Sequence, residues 1–337
     1  MVLKLRDEIA VLGAGSWGTA LAIHLAKNGN PVRLWGHRAE HCMALVSDRE
    51  NSRYLPGVAF PDMLSVFADL HDCLQGVRDV LIVVPSVAFA GLLRRVRELK
   101  GIDWRVVWGT KGIDRDSGQL LSELTASVCG HDMPMAVLSG PSFASEVARS
   151  LPTAVSVAGN SADFLQSLQA RFHSDVFRVY INSDFVGVQL CGVVKNILAI
   201  AVGVADGMGF GANARAALIT RGMAEMARLC DELGARADTL TGLAGLGDVV
   251  LTCTGNESRN RRFGVALGQG NKTQDIYRDI GQEIEGAHNV NQVYRLAQQY
   301  QIDMPITEQI YLLLSGQQDL DSALSNLLLR RATREKP

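Results

Sequence analysis

Near the start of the chain an apolar, β-branched run breaks at "GAGSWG" and continues in a helical pattern, reading "EIAVLGAGSWGTALAIHLAKNG". Gly13, Gly15 and Gly18 stand in the spacing G-x-G-x-x-G. That spacing alone is common, but between a strand and a helix it makes a specific demand on geometry. The first glycine permits the tight turn out of the strand. The second lets a pyrophosphate approach the backbone, and the third lets helix and strand pack closely. Unpaired N–H groups at the start of the helix then face the anion. A chain that opens this way commits its first segment to a strand–turn–helix unit with a dinucleotide at the turn.

The following residues repeat that alternation. "PVRLWG", "DVLIVVP" (79–85), "RVVWGTKG" (105–112), "MAVLSGPS" (135–142) and "TAVSVAG" (153–159) read as strands separated by helical segments. The first helix is expected to close on Gly29 as its C-cap. Alternating strands and helices imply a mostly parallel sheet covered by helices on both faces. Near residue 184 the pattern changes to helical periods without a convincing strand. "NARAALITRGMAEMARLCDELG" (213–234) is one such helix, and others follow near 286–300 and 305–315. The expected class is α/β, with a Rossmann-like dinucleotide-binding domain over 1–184 and an all-helical substrate domain over 185–337.

Composition enters as an exclusion. The 33 basic and 35 acidic side chains give a formal net charge of −2, so no general attraction to nucleic acid is expected. Six cysteines without a CxxC pair point to a reduced, cytoplasmic protein without structural disulfides. The apolar run "VGVQLCGVVKNILAIAVGVA" carries Lys195 and Asn196 at its middle. A lysine there costs about 2.5–3.5 kcal/mol on insertion scales, so the run is not read as a membrane span. The N-terminal run is interrupted by Asp7 and Glu8 and is not read as a signal. "HRAEHC" gathers His37, Glu40, His41 and Cys42, but no second cluster with zinc-like spacing accompanies it, and no metal is expected.

The end of the second strand bears on which dinucleotide is bound. An acidic residue about 20 positions after the first glycine would take the ribose hydroxyls. Here the strand ends "RLWGHR", and Glu40 falls inside the next helix. His37 and Arg38 stand where a 2′-phosphate would lie. NADP(H) is therefore favoured, with NAD(H) the alternative; the bland reading is that both side chains are merely solvated.

Ligands in open α/β sheets bind beyond the carboxyl ends of the strands. Three segments stand at such ends: "VVPS" (83–86), "GTKG" (109–112) with Lys111, and "LSGPSFASE" (138–146) with Gly140 and Ser142. Lys111 reads either as a cation in the crevice or as a surface loop lysine, and "SGPS" either as a donor loop or as a plain turn. Lys195 in "GVVKNILAI" is a lone cation in an apolar helix. If buried, its pKa falls from about 10.4 into the range of a general acid or base; if half-buried, it snorkels to the surface. The segment "TGLAGLGDVVLTCTGNESRNRRFG" adds Asp248, Ser258, Arg259 and Asn260. Asp248 follows three glycines and reads as a ligand-facing carboxylate or as a helix N-cap. Ser258, Arg259 and Asn260 together suit an anion.

Five blocks, "GAGSWG", "WGTKG", "LSGPSFASE", "CGVVKNILAIAVGVADGMGFGANARAALITRG" and "LAGLGDVVLTCTGNESRNRRFG", resemble the bacterial-type NAD(P)-dependent glycerol-3-phosphate dehydrogenases, in order and over nearly the whole chain. The resemblance implies reversible reduction of dihydroxyacetone phosphate to sn-glycerol 3-phosphate, feeding glycerophospholipid synthesis, by a homodimer. It makes Lys195 the acid/base, with Lys111 and Asp248 as its catalytic companions. It places Lys111, Gly140, Ser142, Lys195, Asp248, Ser258, Arg259 and Asn260 on substrate positions. Ser16, Trp17, His37, Arg38, Lys111, Ala144, Arg259, Glu283 and Glu285 fall on cofactor positions, beside Gly13, Gly15 and Gly18. At Glu283 the family is apolar, whereas this chain reads "QEIEGAHN". The expected division of labour in the arginine loop is Arg259 on the phosphate, with Arg261 and Arg262 serving structure or surface charge. The rivals are a non-catalytic dinucleotide sensor and a dehydrogenase of another 2-hydroxy acid.

Overall fold

A computed structural model describes residues 7–328. Ten strands come first: β1 (Ile9–Leu12), β2 (Val32–Trp35), β3 (Glu50–Asn51), β4 (Leu55–Ala59), β5 (Leu64–Phe67), β6 (Asp79–Ile82), β7 (Arg105–Trp108), β8 (Met135–Ser139), β9 (Thr153–Gly159) and β10 (Phe177–Ile181). Among them run α1 (Ser16–Lys27), α2 (Ala39–Asp48), α3 (Leu70–Leu74), α4 (Ser86–Lys100), α5 (Leu121–Cys129), α6 (Ala144–Ala148) and α7 (Ala162–Phe172). Among the described residues, everything regular after Ile181 is helical. The elements are α8 (Phe185–Gly207), α9 (Ala212–Glu232), α10 (Ala237–Thr241), α11 (Asp248–Thr254), α12 (Arg259–Gly268), α13 (Thr273–Ile280), α14 (Glu285–Gln299), α15 (Pro305–Leu314) and α16 (Leu320–Leu328). A π-helical turn, Leu243–Gly247, leads into α11.

The main sheet has eight strands in the order β10-β9-β8-β7-β6-β1-β2-β5. Every neighbouring pair is parallel except β8 and β9. Strand β1 sits inside it, with Ile9 level with Val32 on one side and Asp79 on the other. Its four residues are all buried, as expected of a strand covered on both faces. Side chains alternate across the sheet: Ile9 and Val11 join Leu21, Leu25 and Phe172 in one core. Ala10 and Leu12 join Phe89, Val96 and the residues of α8 in the other.

Helix α8 runs through the core of the second half. It is long and apolar enough to cross a membrane by length and composition, yet 89% of its apolar window is buried inside the protein. Helix α12 lies against it at backbone contact. A Cβ on Gly203 would stand 2.2 Å from the Arg261 carbonyl, and one on Gly264 would stand 2.2 Å from the Ile200 carbonyl. This close approach brings the arginine loop to the middle of α8.

The structure departs from the sequence reading at several edges. The strands expected over 79–85, 105–112 and 135–142 stop at Ile82, Trp108 and Ser139. The residues beyond leave the sheet as loops, which is what opens a crevice there. Strand β10 was not anticipated: only Phe177 and Val179 of "FRVYI" are buried, the weak alternation of an edge strand. Strands β3, β4 and β5 were also missed, being short and only partly buried. Helix α1 is C-capped by Asn28, with Gly29 following at φ +76°.

Candidate active site

Strands β1, β6, β7 and β8 run in one direction, so the loops that follow them emerge at one edge of the sheet. The glycine turn after β1 is shaped by exclusion. Gly13 has φ +125°, and a Cβ there would lie 2.1 Å from the Val83 carbonyl oxygen. A Cβ on Gly18 would lie 1.9 Å from the Gly13 carbonyl oxygen, so strand and helix meet main chain to main chain. Gly15, by contrast, faces open space. It precedes α1 as an N-cap without a side-chain hydrogen bond. Open backbone over an uncapped helix start fits the pyrophosphate of a dinucleotide.

Beyond that turn three charges meet. Lys111 follows β7, Lys195 lies mid-way along α8, and Asp248 is the first residue of α11. Lys111 Nζ donates to Asp248 Oδ2 at 2.5 Å, and Lys195 Nζ donates to Asp248 Oδ1 at 2.5 Å. The Asp248 side chain is 1% exposed, Lys195 8% and Lys111 16%. Lys195 therefore does not snorkel, Lys111 is not a free surface lysine, and Asp248 does not cap α11, whose N-cap is Gly247. The turn of π-helix sets this last difference: it closes a Gly247 N–H to Gly242 carbonyl bond and delivers Asp248 inward, already in helical conformation.

Two cations share one anion here, so the buried cluster carries an excess positive charge. Burial lowers the Lys195 pKa to about 7; Asp248 works against the shift and Lys111 adds to it. Burial by itself pushes the Asp248 carboxyl up, but the two ammonium groups more than offset this and hold it below its ordinary value. Thr252, one helical turn after Asp248, accepts from Lys195 Nζ at 2.8 Å and donates to Asp248 Oδ1 at 3.2 Å. Sequence reasoning missed Thr252, although the spacing Asp248-x-x-x-Thr252 on a short helix was available to find it.

The arginine loop enters α12. The Ser258 hydroxyl caps that helix by accepting from the Arg261 N–H at 3.2 Å, leaving the Arg259 and Asn260 N–H groups in its first turn. The Arg259 guanidinium donates to Gln282 Oε1 at 3.1 Å, and the same oxygen accepts from the Ser16 hydroxyl of the glycine turn at 3.2 Å. Gln282, another residue the sequence reading passed over, thus joins the two ends of the site. Burial lowers the Arg259 pKa, against the opposing charge of Glu285. The Asn260 amide donates to Asn196 Oδ1 and accepts from the Gly286 N–H, both at 2.9 Å. Arg261 turns away and forks onto Asp206 at 2.7 and 3.0 Å, where Arg215 also binds.

Family profiles described as NAD-dependent glycerol-3-phosphate dehydrogenase N-terminus and C-terminus match residues 8–165 and 184–325. The chain belongs to this family. It is 52% identical over 330 residues to a glycerol-3-phosphate dehydrogenase [NAD(P)+] of Vibrio cholerae, covering 98% of this chain and 96% of the relative. It is 54% identical over 331 residues to the protein of that name from Edwardsiella ictaluri, covering 98% and 97%. The crystal structure of glycerol-3-phosphate dehydrogenase from Coxiella burnetii superposes with a TM-score of 0.94 at 51% identity, covering 97% of this chain and 100% of that one.

Other candidate residues of this family member fall on two sides of the cluster. Gly140, at φ +146°, follows β8, where a Cβ would lie 2.9 Å from Val155 Cα, and its carbonyl accepts from the Ser142 hydroxyl at 2.9 Å. Ala144 begins α6. Trp17 packs against Gly109, so its ring turns into the protein. Glu285 accepts from the hydroxyl and N–H of Ser86, at 2.8 and 3.3 Å, and burial raises its pKa. Glu283 instead pairs with His288 at 2.7 Å on the surface. His37 and Arg38 are exposed beyond β2, and Arg38 is the N-cap of α2. The remaining side chains of "HRAEHC" diverge: His41 Nε2 lies 3.3 Å from the Ala14 carbonyl, and buried Cys42 donates to the Gly36 carbonyl.

Proposed function

We propose that the chain reversibly reduces dihydroxyacetone phosphate to sn-glycerol 3-phosphate with NAD(P)H. The observation that carries this reading is the sharing of one buried carboxylate, Asp248, by Lys111 and Lys195 beside a glycine turn fit for a dinucleotide. A nicotinamide held at the glycine turn would supply the hydride chemistry at substrate C2. The Lys195 ammonium gives its proton to the carbonyl oxygen as the C2 hydroxyl forms. In the reverse direction neutral Lys195 takes the hydroxyl proton while the C2–O bond becomes a carbonyl. Lys111 stabilises the charge developing on that oxygen. Asp248 orients both amines, and Thr252 holds the Lys195 amine from its other side.

Ser258, Arg259 and Asn260 would take the substrate phosphate at the start of α12, with Gly140 and Ser142 lining the opposite wall. Gly13, Gly15, Ser16, Trp17, Gly18, Lys111, Ala144, Arg259 and Glu285 would hold the cofactor. His37 and Arg38 would favour NADP(H) over NAD(H). Glu283 drops to a peripheral role, since its carboxylate is paired with His288. We divide the chain into a cofactor domain over 1–184 and a substrate domain over 185–337. A reduced, cytoplasmic setting is supported by six free thiols. Assembly as a homodimer and supply of glycerophospholipid synthesis are part of the same proposal.

Loss of NADPH absorbance on adding dihydroxyacetone phosphate tests the reading directly. No turnover despite tight dinucleotide binding would leave a dinucleotide sensor. Turnover only with other 2-oxo substrates would leave another 2-hydroxy acid dehydrogenase.

A further inference from the structure

Lys111 lies in neither a helix nor a strand, yet its ammonium meets Asp248 at hydrogen-bond distance. Loop residues keep such precision only when their backbone is tied down. The tie comes from α14, 178 positions further along the chain. Asn289 is 1% exposed, and its Nδ2 donates to the Lys111 carbonyl at 3.1 Å. Its Oδ1 accepts from the Ile113 N–H at 3.3 Å. One side-chain amide thus meets the backbone on both sides of Gly112, as a neighbouring strand would beyond the end of β7.

The grip leaves little room. A Cβ on Gly112 would lie 2.2 Å from Ser86 Cβ and 3.1 Å from Asn289 Oδ1, so the main chain is held between the two residues. Glu285, one turn before Asn289, accepts from the Ser86 hydroxyl at 2.8 Å and from Asn289 Nδ2 at 3.4 Å. The loop's other end is held by the Thr110 hydroxyl on the Val84 carbonyl at 2.8 Å. Of these ties, only the Asn289 amide bonds the backbone of Lys111 itself.

We propose that Asn289 is a positioning residue for the reaction: its amide fixes the main chain around Lys111 and thereby the placement of the Lys111 ammonium on Asp248. The proposal rests on the reading that Lys111 acts in turnover. Asn289 touches neither reacting atom; it acts through the loop.

The test is a double-mutant cycle with Lys111→Ala, using Asn289→Ala and the nearly isosteric Asn289→Asp, which keeps the acceptor and loses the donor. Turnover, cofactor dissociation constant and pH profile are measured for each folded enzyme, and Asn289→Asp decides if Asn289→Ala does not fold. A misplacement of about 1 Å at a reacting group costs on the order of 10²-fold, so kcat should fall about 10–100-fold with cofactor affinity retained. In the Lys111→Ala background the same Asn289 change should cost less than about two-fold more. The acidic limb of glycerol 3-phosphate oxidation should also move upward, as it should in Lys111→Ala, because the Lys111 charge helps to depress Lys195. Additive losses, or an unmoved limb, overturn the proposal and leave Asn289 a purely structural residue. Normal turnover in Lys111→Ala alone would remove the premise, and the inference with it, before Asn289 is considered.

Discussion

The glycine turn and the lysine–aspartate cluster lie at the same edge of the sheet but are built on opposite plans. The turn spans Gly13 to Gly18 and works through what is missing: a Cβ at either end would strike a carbonyl oxygen. The cluster joins residues 111, 195 and 248 and works through three side chains removed from water. A backbone site is local, uncharged and shaped sterically. A buried charge site is assembled from three distant elements and is governed by electrostatics. The two should therefore fail separately when mutated.

Lys195→Ala should show the largest effect. Loss of a general acid/base costs about 10²–10⁴-fold in kcat, while the cofactor dissociation constant, set by the turn, stays near wild type. Near-normal turnover in the folded variant would place proton transfer elsewhere. Arg259→Ala should come next, because truncating a buried charged partner costs about 2–5 kcal/mol. Use of glycerol 3-phosphate should collapse, while any measurable activity with glycerol, which lacks the phosphate, should change far less. Arg261→Ala should instead lower the melting temperature through about 1.5–3 kcal/mol of lost charge-assisted bonding to Asp206 and leave phosphate dependence alone. Equal loss of phosphate dependence in both variants would mean that the loop acts as a diffuse basic patch.

Gly13→Ala sharpens the comparison from the other side. Left-handed strain of about 1–3 kcal/mol, added to the clash with Val83, should weaken cofactor binding measured by titration. In the part that remains bound, the pH profile of turnover should be unchanged, since the cluster is untouched. The smallest effect is expected at His37 and Arg38. These side chains are exposed, so their charge contributes about 1 kcal/mol or less. A double alanine variant should lower the NADPH/NADH ratio of kcat/KM by roughly five-fold. An unchanged ratio would show that they do not read a 2′-phosphate.

The same contrast decides what was legible in the sequence. The glycine turn is contiguous, so spacing and flanking periodicity revealed it. Lys195 stood out as a lone cation in an apolar helix, but its fate stayed open because burial and snorkelling share one local pattern. Only packing separates them, and the packing depends on α11 arriving from residue 248. Ser86 lay within a segment the strand-end rule points to, whereas Thr252 and Asn289 on helices and Gln282 in the loop before α14 were missed, because a polar residue is ordinary until a partner is known. The tight seam of α8 and α12 did leave a trace: "GVADG" and "GVALG" carry Gly203, Gly207, Gly264 and Gly268 at matching four-residue intervals. Strands β5 and β10 left almost none, since an edge strand buries too few residues to show a period.

The central claim is that Lys195 exchanges the substrate proton because burial has brought its pKa down to about 7. Its direction is fixed by chemistry: oxidation needs the neutral amine and reduction needs the ammonium. The decisive measurement is kcat/KM against pH in both directions. The account predicts that glycerol 3-phosphate oxidation rises, and dihydroxyacetone phosphate reduction falls, through a limb near 7 as pH increases, and that this limb is absent from the residual activity of Lys195→Ala. A limb at the ordinary lysine value of about 10.4, or one that survives unchanged in Lys195→Ala, would contradict it.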